Sequence, residues 1–123
     1  MSFEITKDYV FNIQQLIAEK NNTALVNLLE DVHYADIAEI IEELSTSESL
    51  YLIKLLDSDL TSDVIAELDE DDREKILKGL SSKEIAGEID ELDSDDAADI
   101  IAELTEEQKE EVISHLEDVE HAK

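Results

Sequence analysis

The chain has no cysteine and no proline, and its only glycines are Gly79 and Gly87. Without cysteine there are no disulfides, thiolate metal sites or cysteine nucleophiles. So few turn formers, in a chain dominated by Leu, Ile, Ala and Glu, point to an all-α fold. Basic residues are scarce as well: 9 Lys and Arg stand against 35 Asp and Glu, a net charge of −26. That excess argues against nucleic acid or an anionic membrane surface as partner, because both attract basic patches. No apolar stretch approaches the roughly 18 residues that span a bilayer. The opening MSFEITKDYV lacks a basic region followed by an apolar core, so no secretory signal is expected, and the chain reads as soluble and cytosolic. What is present is 123 residues, suited to one domain, with 42% hydrophobic residues, too many for an acidic disordered tail.

Those hydrophobic residues recur with a period of twelve. Cut from His33, the chain reads HYADIAEIIEEL, STSESLYLIKLL, DSDLTSDVIAEL, DEDDREKILKGL, SSKEIAGEIDEL, DSDDAADIIAEL and TEEQKEEVISHL. The twelfth column is always leucine, from Leu44 to Leu116. The ninth is Ile or Leu, and the eighth is apolar except for Glu88. The frame extends back through NNTALVNLLEDV and persists weakly in YVFNIQQLIAEK. The first column is mostly Ser, Thr, Asp or Asn, and an acid or amide usually stands three places later. This is capping-box spacing, so each unit starts a new helix.

One continuous helix is the competitor. At about 100° per residue, twelve residues carry an apolar stripe about 120° past whole turns, so a single rod winds its stripe around every side. A break every twelve residues re-aims the stripe. The spacing therefore predicts helices of roughly nine or ten residues, joined by turns of two or three and stacked as an α-solenoid in which each unit contacts mainly its neighbours. Columns five, eight, nine and twelve form the core; columns three, seven and ten face solvent. The reading is one domain over residues 1–123, with repeats over about 9–116 and a frayed lead-in over residues 1–8. The tail EDVEHAK carries no helix stop, as in a helix cut from something longer.

Catalysis finds little support. His33 occupies a cap column, and His115 and His121 are six apart, the wrong spacing for a zinc pair on one helix face. No Ser-His-Asp set or glycine-rich phosphate loop is visible, so no enzyme is expected. Calcium loops starting at Asp57 or Asp69 fail, with leucine at position 12. The acids are the dense chemistry. Asp95 and Asp99, four apart in outward columns three and seven, stack on one helix face, and Asp63 holds the same seventh column. Such exposed like charges repel by a few tenths of a kcal/mol per pair, and a divalent cation removes the repulsion. Mg²⁺ suits this surface, since it keeps several waters and takes one or two carboxylates directly. A solvated acidic face that keeps a small repeat domain soluble is the other reading.

HYADIAEIIEEL, LDSDLTSDVIAELDEDDREKILKGLSS and above all ELDSDDAADIIAEL resemble the cytoplasmic N-terminal domain of the MgtE family of magnesium channels and transporters, over about residues 20–116. The resemblance implies a right-handed superhelix of short helices. It implies CBS domains as partners within a full-length homodimeric membrane protein, with this domain on the cytoplasmic face and without membrane contact of its own. It further implies Mg²⁺ bound between N and CBS domains, closing the pore when internal magnesium is plentiful, with Asp95, Asp99 and, as a looser match, Asp63 as metal residues. Isolated, the domain supplies half of each site, so weak Mg²⁺ binding is expected. Tyr34 and Ser94 stand where many members carry proline, which loosens a turn without altering the fold. CBS and membrane-spanning parts are absent from these 123 residues. The flagellar motor switch protein carries a related helical module, so a helical protein-interaction scaffold is the alternative function; a nucleic-acid mimic is a third.

Overall fold

The computed structural model describes the backbone of residues 5–122 and side chains as far as Leu116. Among the described residues there are nine helices: α1 (Lys7–Ala18), α2 (Asn22–Leu29), α3 (Tyr34–Glu43), α4 (Thr46–Leu55), α5 (Ser58–Glu67), α6 (Glu70–Gly79), α7 (Ser82–Asp90), α8 (Ser94–Glu103) and α9 (Glu106–Ala122). The fold is all-α. Helices α3 to α8 have the predicted nine or ten residues, and α9, past the last twelfth-column leucine, runs on to 17.

The breaks between α3 and α7, and between α8 and α9, are two residues long and alike. Leu44, Leu56, Leu68, Leu80 and Leu104 end their helices in extended backbone, with φ between −62° and −101° and ψ between 146° and 159°. The capping residue that follows Leu44, Leu56, Leu68 and Leu80 is near-extended too, and then the next helix begins. Every step lies in regions open to ordinary L-residues, so no glycine or proline is needed. The one positive φ among described non-glycine residues is at Lys20 (55°), where Asn21 N–H bonds the Leu16 carbonyl and Lys20 N–H the Ile17 carbonyl in a Schellman closure of α1.

Capping follows the first column, with two exceptions. Ser45 and Ser81 form reciprocal boxes with Glu48 and Glu84. Asn21, Asp69 and Thr105 accept from the backbone N–H three residues on. Asp57 and Asp93 accept no such bond; their backbone takes the cap conformation while the carboxylates are left to solvent and the helix dipole. The lead-in is more ordered than expected over residues 5–8: Thr6 caps α1, accepting from Tyr9 N–H at 3.1 Å. Residues 1–4 of that segment lie outside the described residues.

Most positions of the predicted core columns are buried, including Ile37, Ile40, Ile41, Leu52, Ile53, Val64, Ile65 and Leu68, while Leu44, Leu92, Ala97 and Ile101 are partly so. Ile113 departs: a ninth-column residue of α9, it is 44% exposed, because α9 packs on α7 and this side chain lies on the other flank. From α3 on, the closest packing is between second neighbours, α3 with α5, α5 with α7, α7 with α9, and α4 with α6, whereas α1 packs on the adjacent α2. Consecutive helices share a short extended joint and meet at their ends, whereas the helix after next returns alongside. This refines the expectation of contact between adjacent units.

Arg73 ties the rows together. Its Nε donates to the Ile65 carbonyl at 3.0 Å, and its Nη2 to the carbonyls of Ala66 (3.0 Å) and Leu68 (2.6 Å), all at the end of α5. Its Nη1 meets Glu103 Oε1 of α8 at 2.6 Å, with both side chains less than a fifth exposed. The guanidinium thus joins α5, α6 and α8.

Arg73→Met is expected to cost about 3 kcal/mol in chemical denaturation, since it strands a largely buried carboxylate and removes the Arg73 bonds to the carbonyls at the end of α5. Adding Glu103→Leu should recover part of that loss, because the stranded charge goes with it. Gly87, mid-helix in α7, has open space where a Cβ would stand. Gly87→Ala should therefore raise stability by about 0.5–1 kcal/mol, read as a higher Tm.

Candidate metal-binding face

Helix α8 carries the acid-rich segment. Ile100 and Leu104 anchor it inward, and Glu103 holds it to Arg73. Asp95 and Asp99 are exposed, one turn apart on the same outward face. Asp95 and Asp96 also lie in the first turn, where the positive end of the dipole favours anions. Asp63 is exposed on α5. The structure thus places all three predicted metal residues outward and brings Asp95 and Asp99 onto one face, while Asp63 stands on a different helix. Exposed carboxylates of this kind can take a hydrated divalent ion through one or two oxygens.

A different group of acids converges. Among the described residues, Glu42 of α3 with Asp69 and Asp72 of α6 form a triad whose ligand oxygens lie within 4.8 Å of one another. Partial burial, then the charges of Asp72 and Asp69, raise the Glu42 carboxyl above its usual range. Partial burial, then the charge of Asp69 and a hydrogen bond to it, raise Asp72, against the pull of Lys75. Sequence reading missed this group. Asp69 and Asp72 read as a cap and its partner, and Glu42 as a solvent-facing tenth column. Nothing in the repeat says that the tenth column of one helix meets the start of the helix three units on.

Glu88, the polar exception in the eighth column, turns toward α5. The buried Thr61 hydroxyl lies 2.8 Å from Glu88 Oε1 and 3.0 Å from Oε2 and donates to the carboxylate. Burial pushes the Glu88 carboxyl up to about 7; Glu91 and Glu84 add to the rise and the Thr61 bond opposes it. Glu84 itself is lowered, first by the Ser81 backbone N–H of its capping box, with Lys54 at 3.8 Å contributing.

His33 serves locally. His33 Nδ1 accepts from the Ala35 N–H at 3.1 Å as the α3 cap, and its ring lies 4.2 Å from that of Tyr34. The His121 side chain lies outside the described residues. No described helix is long and apolar enough to cross a membrane.

Because the folded chain holds the Glu88 proton between about pH 4.5 and 7 while the unfolded chain has released it, this group's contribution is complete below 4.5 and is lost as pH rises to about 7. Glu88→Gln should therefore show a higher urea midpoint than the parent at pH 8, with the difference shrinking toward pH 5.

Residues 32–123, about three quarters of the chain, match the model of the family described as MgtE intracellular N domain. Among curated proteins, none matches.

Proposed function

Because that match covers most of its length, the chain belongs to the MgtE intracellular N-domain family, and we propose that it senses Mg²⁺ through acids on its outward face and so helps to gate a magnesium pore. Domains of this family are regulatory cytoplasmic parts of multidomain MgtE transporters that also carry CBS domains, and the family is not an enzyme family. The observation that carries the reading is the pair Asp95 and Asp99, exposed one turn apart on α8, held outward by a helix whose inner face is anchored in the core.

The mechanism follows from charge. A domain of net charge −26 is repelled by acidic CBS surfaces when both are bare. Mg²⁺ ions at the joint neutralise both sides. Since the ions bind the docked arrangement better than the separated one, they shift a two-state equilibrium toward docking, and the compact form keeps the pore closed. Asp95 and Asp99 supply carboxylates to that joint, with Asp63 as a further contributor. Alone, the domain offers half of each site and binds Mg²⁺ weakly, with no large change of fold.

Mg²⁺ titration followed by amide NMR shifts checks this. Shifts should concentrate around residues 63 and 95–99, and Asp95→Asn with Asp99→Asn should abolish the α8 component while leaving the helical spectrum intact. Small uniform shifts over all acids would leave only ionic screening. Shifts centred on Glu42, Asp69 and Asp72 would overturn the residue assignment.

A further inference from the structure

The row of second-neighbour helices α9, α7, α5 and α3 does not continue onto α1, which packs chiefly on α2 and α4. Where the next member of the row would lie there is an open trough of about 900 Å³ between α1 and α3. Its apolar lining comes from Ile5, Val10 and Phe11 on one side and Ala35 and Ala38 on the other. Phe11 is 60% exposed, an unusual state for a large aromatic residue in a chain with only two phenylalanines. The two alanines keep the α3 wall low enough for a backbone to come close. The acids lining the trough are Asp8, Glu39, Glu42, Glu43 and Glu67, set against one base, Lys7.

The geometry points to a docking groove for a basic amphipathic helix of a partner protein, its apolar stripe on Phe11 and the α3 alanines and its Lys or Arg side chains on the acidic rim. Three observations select this occupant. The trough adjoins α3, the last member of a row in which each helix packs on the helix after next, so a helix completes it. Its lining sets apolar groups, the exposed Phe11 foremost, among polar ones, which suits an amphipathic helix with anchors at i, i+3, i+4 and i+7. Its rim is anionic, which favours a cationic partner and speeds the encounter. Glu42 adds a further reason: it is crowded by Asp69 and Asp72, and a cation placed beside it relieves that repulsion. The surface is separate from the α8 face and does not depend on the Mg²⁺ reading.

The test uses the whole chain and a fluorescein-labelled 14-residue Leu/Lys peptide with leucines at i, i+3, i+4 and i+7. A permuted peptide of the same composition without an apolar face is the control, and anisotropy is read at about 0.15 M salt, where diffuse attraction is screened beyond roughly 8 Å. The amphipathic peptide should bind about tenfold tighter than the permuted one. Phe11→Ser, an exposed position, should weaken it about fivefold or more, in keeping with an aromatic anchor. Glu39→Lys with Glu43→Lys should weaken it at least as much, whereas Glu107→Lys with Glu110→Lys, on exposed α9, should change it less than about twofold if the rim acts locally. Binding that survives Asp95→Asn with Asp99→Asn supports a surface separate from the metal face. Equal binding of both peptides, indifference to Phe11→Ser and the rim reversals, or no binding at all would overturn the proposal. So would self-association lost in Phe11→Ser, which would make the occupant a second copy, or peptide binding that requires removal of residues 1–4.

Discussion

The mismatch between a period of twelve and a helical turn of 3.6 residues is the constraint on which the molecule rests. Twelve residues of unbroken helix would rotate the apolar stripe by about 120°, so burial requires a break in every unit. At Leu44, Leu56, Leu68, Leu80 and Leu104 the break is made by the twelfth-column leucine, which does two things at once. Its extended backbone ends one helix and sets up the cap of the next, and its side chain enters the core, as Leu56, Leu68, Leu80 and Leu104 do. Stop signal and hydrophobic anchor are one residue. That is why the nine helices among the described residues form in a chain with no proline and two glycines.

Short helices cannot be stable alone, since a nucleus is costly and ten residues return few bonds. Stability comes from packing against the helix after next, and the residues of the eighth and ninth columns divide that work. Ile40 and Leu52 join the cluster formed with α1 and α2, while Ile41 and Ile53 join the larger one formed with α5 to α9. Helices α3 and α4 therefore stitch two cores into one body. Where hydrophobic columns give way to polar residues, the interior answers with specific bonds: Arg73 on the α5 carbonyls and Glu103, Thr61 on Glu88. Arg73 and Thr61 stand in the fifth column and Glu88 in the eighth, two columns that face the core.

The charge distribution follows from the same frame. Columns three, seven and ten face outward and carry many of the acids, Asp63, Asp95 and Asp99 among them. Such a surface keeps the domain soluble and repels anionic partners, and it becomes attractive to another acidic surface only when cations intervene. A helix of opposite charge meets no such barrier at the trough beside Phe11.

Much was legible in the chain itself. Helix existence, helix length, most caps, the core columns and the outward position of Asp63, Asp95 and Asp99 all follow from local periodicity, because hydrogen bonding within a helix and at its cap spans only three or four residues. The tertiary structure alone decided what meets across distance. It set Glu42 against Asp69 and Asp72, Glu88 under Thr61, Arg73 on Glu103, and it opened the trough between α1 and α3. Those outcomes depend on the angle each two-residue joint imposes between helices. An error of one unit in that winding would bring a different column opposite, so no repeat read along the chain could name the pairs.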